Sequence, residues 1–382
     1  MTAADLSAIP YGRRTLAELL PSALAALGVA GEANPLGLAP SRRVVVLLVD
    51  GLGWNLLRRN TDVAPFLGSV DTDPLTVGFP STTVTSLTSL GTGLAPGEHG
   101  MTGYTSFLGE IDEVVNWLTW RPVGAGGNDL RERVTPERIQ PRRTALERGA
   151  AAGVAVTVAS AAEFRTSGMT RAALRGGTFS GTYTQGDVIA TVIQASRPEP
   201  SLVYCYLSEL DLIGHVRGPE TAPWLAQLAL VDGFVEQLRS RLEPDATLLV
   251  TGDHGMVHVP EASKIDYDAL PELQDGVVAL AGEPRARYVH TAPGADVRAR
   301  WTDVLGDRFA ILSRDEASAA GLFGPTLTAA ASGRIGDLVV VARDGSSIVQ
   351  RTAEPRMSAL PGMHGALTDD ERLVPLLVFA PS

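Results

Sequence analysis

The chain is short of cysteine, of positive charge and of long apolar runs, and each shortage removes a class of protein. Only one of the 382 residues is cysteine. No disulfide can therefore form within the chain, and the position of Cys205 inside the apolar run SLVYCYL marks a buried core thiol in a reducing compartment. A cytoplasmic location is expected. No segment approaches the ~18 consecutive apolar residues that a membrane-crossing helix needs. The N-terminal GRRTLAELLPSALAALGVAGEA has the paired arginines and apolar stretch of an export signal, but Glu18 and Pro21 interrupt it. Leu16, Leu19, Leu20, Leu24 and Leu27 recur there at helical spacing, so the segment reads as an amphipathic helix docked on the protein. Lys and Arg number 32 against 43 Asp and Glu, a formal net charge of −11. That balance disfavours polymeric nucleic acid, because tracking a phosphate backbone needs clustered cations to displace counterions. A small anionic ligand is still compatible, since a bound metal reverses the local sign.

What is present is an α/β pattern. The runs RRVVVLLVDG, GVAVTVAS, SLVYCYLSELD and ATLLVTGDHG are continuous and β-branched, as in central parallel strands, and three of the four finish on an aspartate. Helical patterns lie between them, notably from Thr221 to Leu242. The expected fold is a doubly wound, mostly parallel sheet with helices on both faces, whose ligands sit beyond the carboxyl ends of the strands. Residues 1–39 form a helical extension packed on the core, 40–261 and 350–382 form the core itself, and 262–349 form a small inserted α/β subdomain. The segment from Tyr104 to Gly186, rich in Gly, Arg and Thr, reads as loops over the site.

The acids and histidines at these strand ends form a set. Asp50 closes the first run. Asp211 and His215 in ELDLIGH are four apart, which on a helical turn puts a carboxylate and an imidazole on one face, able to grip one cation. Asp253 and His254 in TGDHGM can turn towards a second cation, and His364 in PGMHG completes the first site. Mixed oxygen and nitrogen ligands suit zinc or manganese better than calcium. The stretch FPSTTVTSLTSLGTG then gains a meaning: Thr83, at the start of a helix and beside the second cation, is a candidate nucleophile, with Ser81 and Thr82 shaping the turn. The plainer alternative is that these hydroxyls only cap the helix. His99, His258 and His290 read as structural or surface residues, and Asp187 and Glu209 as capping or solvated groups.

The ordered set VDGLG, FPSTTVTSLTSLGTGLAPGEHG, ELDLIGH, TGDHGM and GMHG resembles the alkaline phosphatase superfamily and, within it, the type I phosphodiesterase/nucleotide pyrophosphatase family. The resemblance implies an alkaline phosphatase-like catalytic core with two divalent ions, Mn²⁺ or Zn²⁺. Asp211, His215 and His364 would hold one, and Asp50, Thr83, Asp253 and His254 the other. It also implies attack by Thr83 on phosphorus, a phospho-threonine intermediate and its release by water. Two departures stand out. Thr83 is followed by VTSL, and the phosphate-binding Asn expected after HG is missing, with HGMTGY offering Tyr104 instead.

The N-terminal YGRRTLAELLPS and the late GLFGP and RIGDLVVVA resemble actinobacterial members that hydrolyse cyclic di-AMP. The implied function is a two-metal phosphodiesterase converting that cyclic dinucleotide to linear diadenylate and AMP. Alternatives are a general nucleotide pyrophosphatase, a phosphomonoesterase, a phosphonate hydrolase or, from another class, a non-catalytic nucleotide sensor. Arg121, Arg165, Arg171 and Tyr183 are candidates for a second phosphate or a base. The oligomeric state is open, with a monomer favoured.

Overall fold

The computed structural model describes residues 9–124 and 126–381; the first eight residues of the expected extension and the last residue of the core lie outside them. Six strands form the central sheet in the order Leu376–Phe379, Ala246–Thr251, Arg43–Val49, Ser201–Leu207, Ala155–Ala161, Thr178–Thr182. All neighbours are parallel except Leu376–Phe379, which runs antiparallel to Ala246–Thr251. Along the first strand Val44, Val46 and Leu48 enter one apolar core and Val45, Leu47 and Val49 the other. Both faces of the sheet are covered, so the strand has to be apolar at every position and shows no alternation.

The first core is closed by the helix Leu19–Ala26, through Leu19, Leu20 and Leu24, and by the helix Thr83–Thr92. The helix Ala222–Arg241 covers the other face with Leu228, Val231, Val235 and Leu238. The molecule is thus a doubly wound α/β protein with a mostly parallel sheet. No helix among the described residues is long and apolar enough to cross a membrane.

Between residues 277 and 342 a second, antiparallel sheet runs in the order Val277–Glu283, Ala286–Thr291, Leu338–Ala342, Phe309–Ser313. It has an apolar cluster around Tyr288, Trp301, Phe323 and Val340. Two buried ion pairs lie at its base, Arg285–Glu371 and Arg287–Glu354, each at 2.7 Å. The first ties the small sheet to the C-terminal segment that carries His364.

The Tyr104–Gly186 segment holds more regular structure than its composition suggests. It contains a three-stranded sheet, Thr105–Leu108, Glu113–Asn116 and Arg121–Pro122, the helix Gly168–Ala173, and the edge strand Thr178–Thr182. That edge strand, TFSGT, buries only its last residue, so it carries no apolar run by which it could be read.

Candidate metal centre and active site

The carboxyl edge of the central sheet gathers the candidate ligands. Asp50 leaves the first strand into a turn at Gly51, whose φ is +74°; a Cβ there would lie 2.9 Å from the Asp211 Cα. Glycine is needed on both counts, and it lets this strand-end turn meet the start of the helix that carries Asp211. Asp211 and His215 lie one turn apart on the helix Glu209–Arg217, with His215 Nε2 3.4 Å from Asp211 Oδ2. Asp253 and His254 follow the strand Ala246–Thr251. Ligand atoms of Asp211, His215 and His364 lie within 4.8 Å of one another, and so do those of Asp50, Asp253 and His254. The two groups abut, with the His254 and His364 rings stacked at 3.6 Å between centroids.

The histidine tautomers follow from their partners. His254 gives its Nδ1–H to Gly255 O (2.9 Å), His215 to Gly362 O (2.8 Å) and His364 to Ser81 O (2.9 Å). A carbonyl can only accept, so each neutral ring carries its proton on Nδ1 and presents a bare Nε2 to the cluster, the arrangement that metal-binding imidazoles adopt.

The carboxylates match. Asp50 Oδ1, Asp211 Oδ1 and Asp253 Oδ2 are buried without a hydrogen-bond partner, whereas the opposite oxygens of Asp50 and Asp253 are engaged. Asp50 Oδ2 accepts from the Tyr206 hydroxyl, and Asp253 Oδ1 from the N–H groups of Gly51 and His254, both at 3.1 Å. Burial and the neighbouring acids Asp253 and Asp211 push Asp50 well above the ordinary carboxyl range, and burial also raises Asp253. Burial, with His254 and His215 alongside, holds His364 well below the usual imidazole value. Orphaned, mutually repelling oxygens beside bare imidazole nitrogens are a donor set that fits two divalent cations.

Thr83 is the first residue of the helix Thr83–Thr92, every residue of which is buried. Thr82 occupies the N-cap position in extended conformation but makes no side-chain cap, so the capping explanation of these hydroxyls fails. Thr83 Oγ1 lies 3.1 Å from His254 Nε2, beside the first-turn N–H groups that have no intrahelical partner. Ser81 fastens this turn to the His364 loop: its Oγ donates to Ala366 O (2.7 Å) and its N–H to Gly365 O (3.3 Å), while its carbonyl orients His364. The helix is held from behind by close approach, since a Cβ on Gly91 would lie 1.9 Å from Ala173 O.

A model of the type I phosphodiesterase / nucleotide pyrophosphatase family matches residues 44–367. The chain belongs to that family. It is a family of hydrolases within the alkaline phosphatase superfamily whose members are typically dinuclear metalloenzymes. No curated protein matches the sequence. Among solved structures, an inactive form of murine ectonucleotide pyrophosphatase / phosphodiesterase 5 in complex with AMP is similar at a TM-score of 0.68 and 17% identity, covering 89% of this chain and 88% of that one. The human protein of the same name gives a TM-score of 0.67 at 18% identity over the same shares. At such identity the likeness speaks for the fold.

In this family member the two clusters open into a cleft of about 400 Å³. Its walls are largely apolar and aromatic, including Leu118, Phe164, Met169, Leu174 and Tyr206. No lysine or arginine lines it among the described residues.

The side chains considered for a second phosphate or a base lie elsewhere. Arg171 pairs with Glu137 (2.7 Å), Arg165 lies over the Phe179 ring, Arg121 donates to Gly127 O, and Tyr183 is 85% exposed outside the cleft. His99 is buried against Ser89, His290 is buried beside Phe107, and Asp187 accepts from Tyr183 N at the start of a helix.

Tyr104 does line the cleft, and its oxygen accepts from Asn116 Nδ2 (2.5 Å), leaving its own O–H free to donate. Two wall residues escaped the sequence reading, Tyr206 and Glu283. Tyr206 has a signal, a phenol near the carboxyl end of a core strand. Glu283 has none beyond being an acid at the end of a strand.

Proposed function

We propose that the protein is a two-metal phosphodiesterase that hydrolyses a small nucleotide through a phospho-threonine intermediate, with cyclic di-AMP as substrate and linear diadenylate and AMP as products. The observation that carries the reading is Thr83 Oγ1 at 3.1 Å from the bare Nε2 of His254, at a helix N-terminus open to the cleft. Asp211, His215 and His364 would hold one cation, and Asp50, Thr83, Asp253 and His254 the other. Such cations supply, when bound, a lowered hydroxyl pKa and charge to balance the attacking and leaving oxygens. The helix places the Thr83 oxygen where it can attack phosphorus, and the unpaired first-turn N–H groups favour the anionic group there. A bond forms between Thr83 Oγ1 and phosphorus as the ribose oxygen leaves, and water then cleaves that bond.

The choice of a diester rests on charge. With no lysine or arginine lining the cleft among the described residues, a singly charged diester is better matched than a dianionic monoester or a polyphosphate. The apolar and aromatic walls suit bases. The proposed setting is the cytoplasm, as a monomer, in keeping with the buried Cys205.

Chromatography of products tests this. The protein with Mn²⁺ is offered cyclic di-AMP, cyclic di-GMP, linear diadenylate, ATP and a phosphomonoester in parallel. Preferential cleavage of cyclic di-AMP is expected. Preference for ATP or the monoester would remove the cyclic dinucleotide reading, and binding without turnover of any of them would make the protein a sensor.

A further inference from the structure

Glu283 ends the strand Val277–Glu283 of the inserted sheet and reaches the wall of the cleft in the catalytic core. It is 2% exposed, and neither carboxyl oxygen has a hydrogen-bond partner of acceptable geometry. It belongs to neither cluster of candidate metal ligands. Its surroundings place it at the phosphate end of the cleft. The Thr82 side chain, next to the nucleophile, and the Tyr104 N–H lie alongside it. A Cβ on Gly365, next to His364, would fall 2.6 Å from its Cγ. A buried polar group left without partners costs stability, on the order of 1–3 kcal/mol. A pair of such oxygens facing a binding cleft therefore points to a partner that the substrate brings.

We infer that Glu283 contacts the substrate phosphate, its carboxyl O–H donating a hydrogen bond to a non-bridging oxygen of the diester. The inference rests on the phosphodiesterase reading above and adds to it the group that meets the phosphate oxygen. No lysine, arginine, asparagine or glutamine lines the cleft among the described residues, and its two histidines, His215 and His364, give their Nδ1–H to backbone carbonyls, so the remaining side-chain donors for that oxygen are hydroxyls and this carboxyl. An ionised carboxylate would face the anionic phosphate as like charge to like charge, so only the protonated form is complementary.

The charged neighbours agree. Arg287, the cation that acts on Glu283, pairs through Nη2 with Glu354 at 2.7 Å and keeps Nη1 without a partner, while Glu371, which also acts on Glu283, is an acid. Burial pushes the Glu283 carboxyl up to about 8, with Thr82, Arg287 and Tyr104 pulling the other way. A preorganised donor to a developing anion is worth about 10²–10³ in rate.

The test compares Glu283→Gln and Glu283→Ala with wild type in the Mn²⁺-loaded protein, using bis(p-nitrophenyl) phosphate and cyclic di-AMP, across pH. Glutamine keeps a donor of nearly the same shape but cannot ionise. The expected result is that Glu283→Ala loses about 10²-fold in kcat/KM. Glu283→Gln should retain turnover within a few-fold at neutral pH. Melting curves of both variants guard against unfolding, and the near-isosteric glutamine keeps the question open even if alanine fails to fold. Three outcomes overturn the inference: Glu283→Gln as slow as Glu283→Ala, Glu283→Ala as fast as wild type, or a lower KM in Glu283→Gln, which would mark an ionised carboxylate. Thr83→Ala run alongside separates the two levels. If it stays active the phosphodiesterase reading fails, whereas a silent Thr83→Ala with indifferent Glu283 variants removes this inference alone.

Discussion

The Tyr206 hydroxyl donates to Asp50 Oδ2, which leaves Asp50 Oδ1 without a partner and 3.4 Å from His254 Nε2. One oxygen is thereby fixed and the other is aimed at the cation cluster. Residues that orient a metal ligand in this way typically control affinity by about 10–100-fold. Tyr206→Phe should therefore need about 10–100-fold more Mn²⁺ for half-maximal turnover of a chromogenic diester while approaching wild-type rate at saturation. An unchanged Mn²⁺ titration would remove the orienting role.

Asp253 is fully buried and shares its cluster with Asp50 and His254. Asp253→Asn keeps the shape and the acceptor for the Gly51 and His254 N–H groups but removes a charge. Turnover should fall by at least about 10²-fold, the Mn²⁺-induced rise in melting temperature should shrink, and the metal-free fold should survive. A fully active variant would refute the ligand assignment.

Chelation and pH act together. Asp50 and Asp253 both have carboxyl values raised above the ordinary 3.8, chiefly by burial. A raised acid holds its proton more tightly folded than unfolded. Its contribution to stability is therefore complete below the unfolded value and is lost as pH rises through the folded one. Metal-free protein should accordingly lose stability on this account as pH rises, and a bound divalent ion offsets the exposed repulsion. Melting temperatures with EDTA and with Mn²⁺ from about pH 5 to about pH 8 should diverge. A gap that narrows with rising pH would contradict the proposed ligand set.

Glu371 receives Arg285 Nε and Nη2 at 2.7 and 2.8 Å, and both side chains are fully buried. Its Oε1 also accepts from Ala366 N (2.9 Å), close behind His364. Glu371→Gln would strand a buried guanidinium, at a cost of about 3–5 kcal/mol in denaturant unfolding. Weaker metal binding should follow, because the His364 loop loses an anchor. A variant as stable as wild type would mean that the pair is replaceable by a neutral hydrogen bond.

Much of the fold was legible because its central strands are buried on both faces and so carry unbroken apolar runs, three of the four ending near an acid of the candidate site. The motif residues were legible for the same reason: Asp50 and Asp253 follow strands, and Asp211 with His215 keeps helical spacing. Glu283 was not, because its neighbours Thr82, Tyr104 and Gly365 come from distant parts of the chain and nothing local distinguishes it from an exposed strand-end acid. The arginines of the Tyr104–Gly186 segment misled in the opposite direction. Their composition suggested phosphate contacts, but Arg171 is neutralised by Glu137 and Arg165 is spent on Phe179.

The most direct measurement is turnover of cyclic di-AMP by Thr83→Ala in Mn²⁺, set beside the Mn²⁺-induced shift of its melting temperature. The expected result is no detectable linear diadenylate or AMP from a variant that still gains stability from Mn²⁺ through the carboxylates and imidazoles. Wild-type rates from Thr83→Ala would contradict the assignment of Thr83 as the nucleophile.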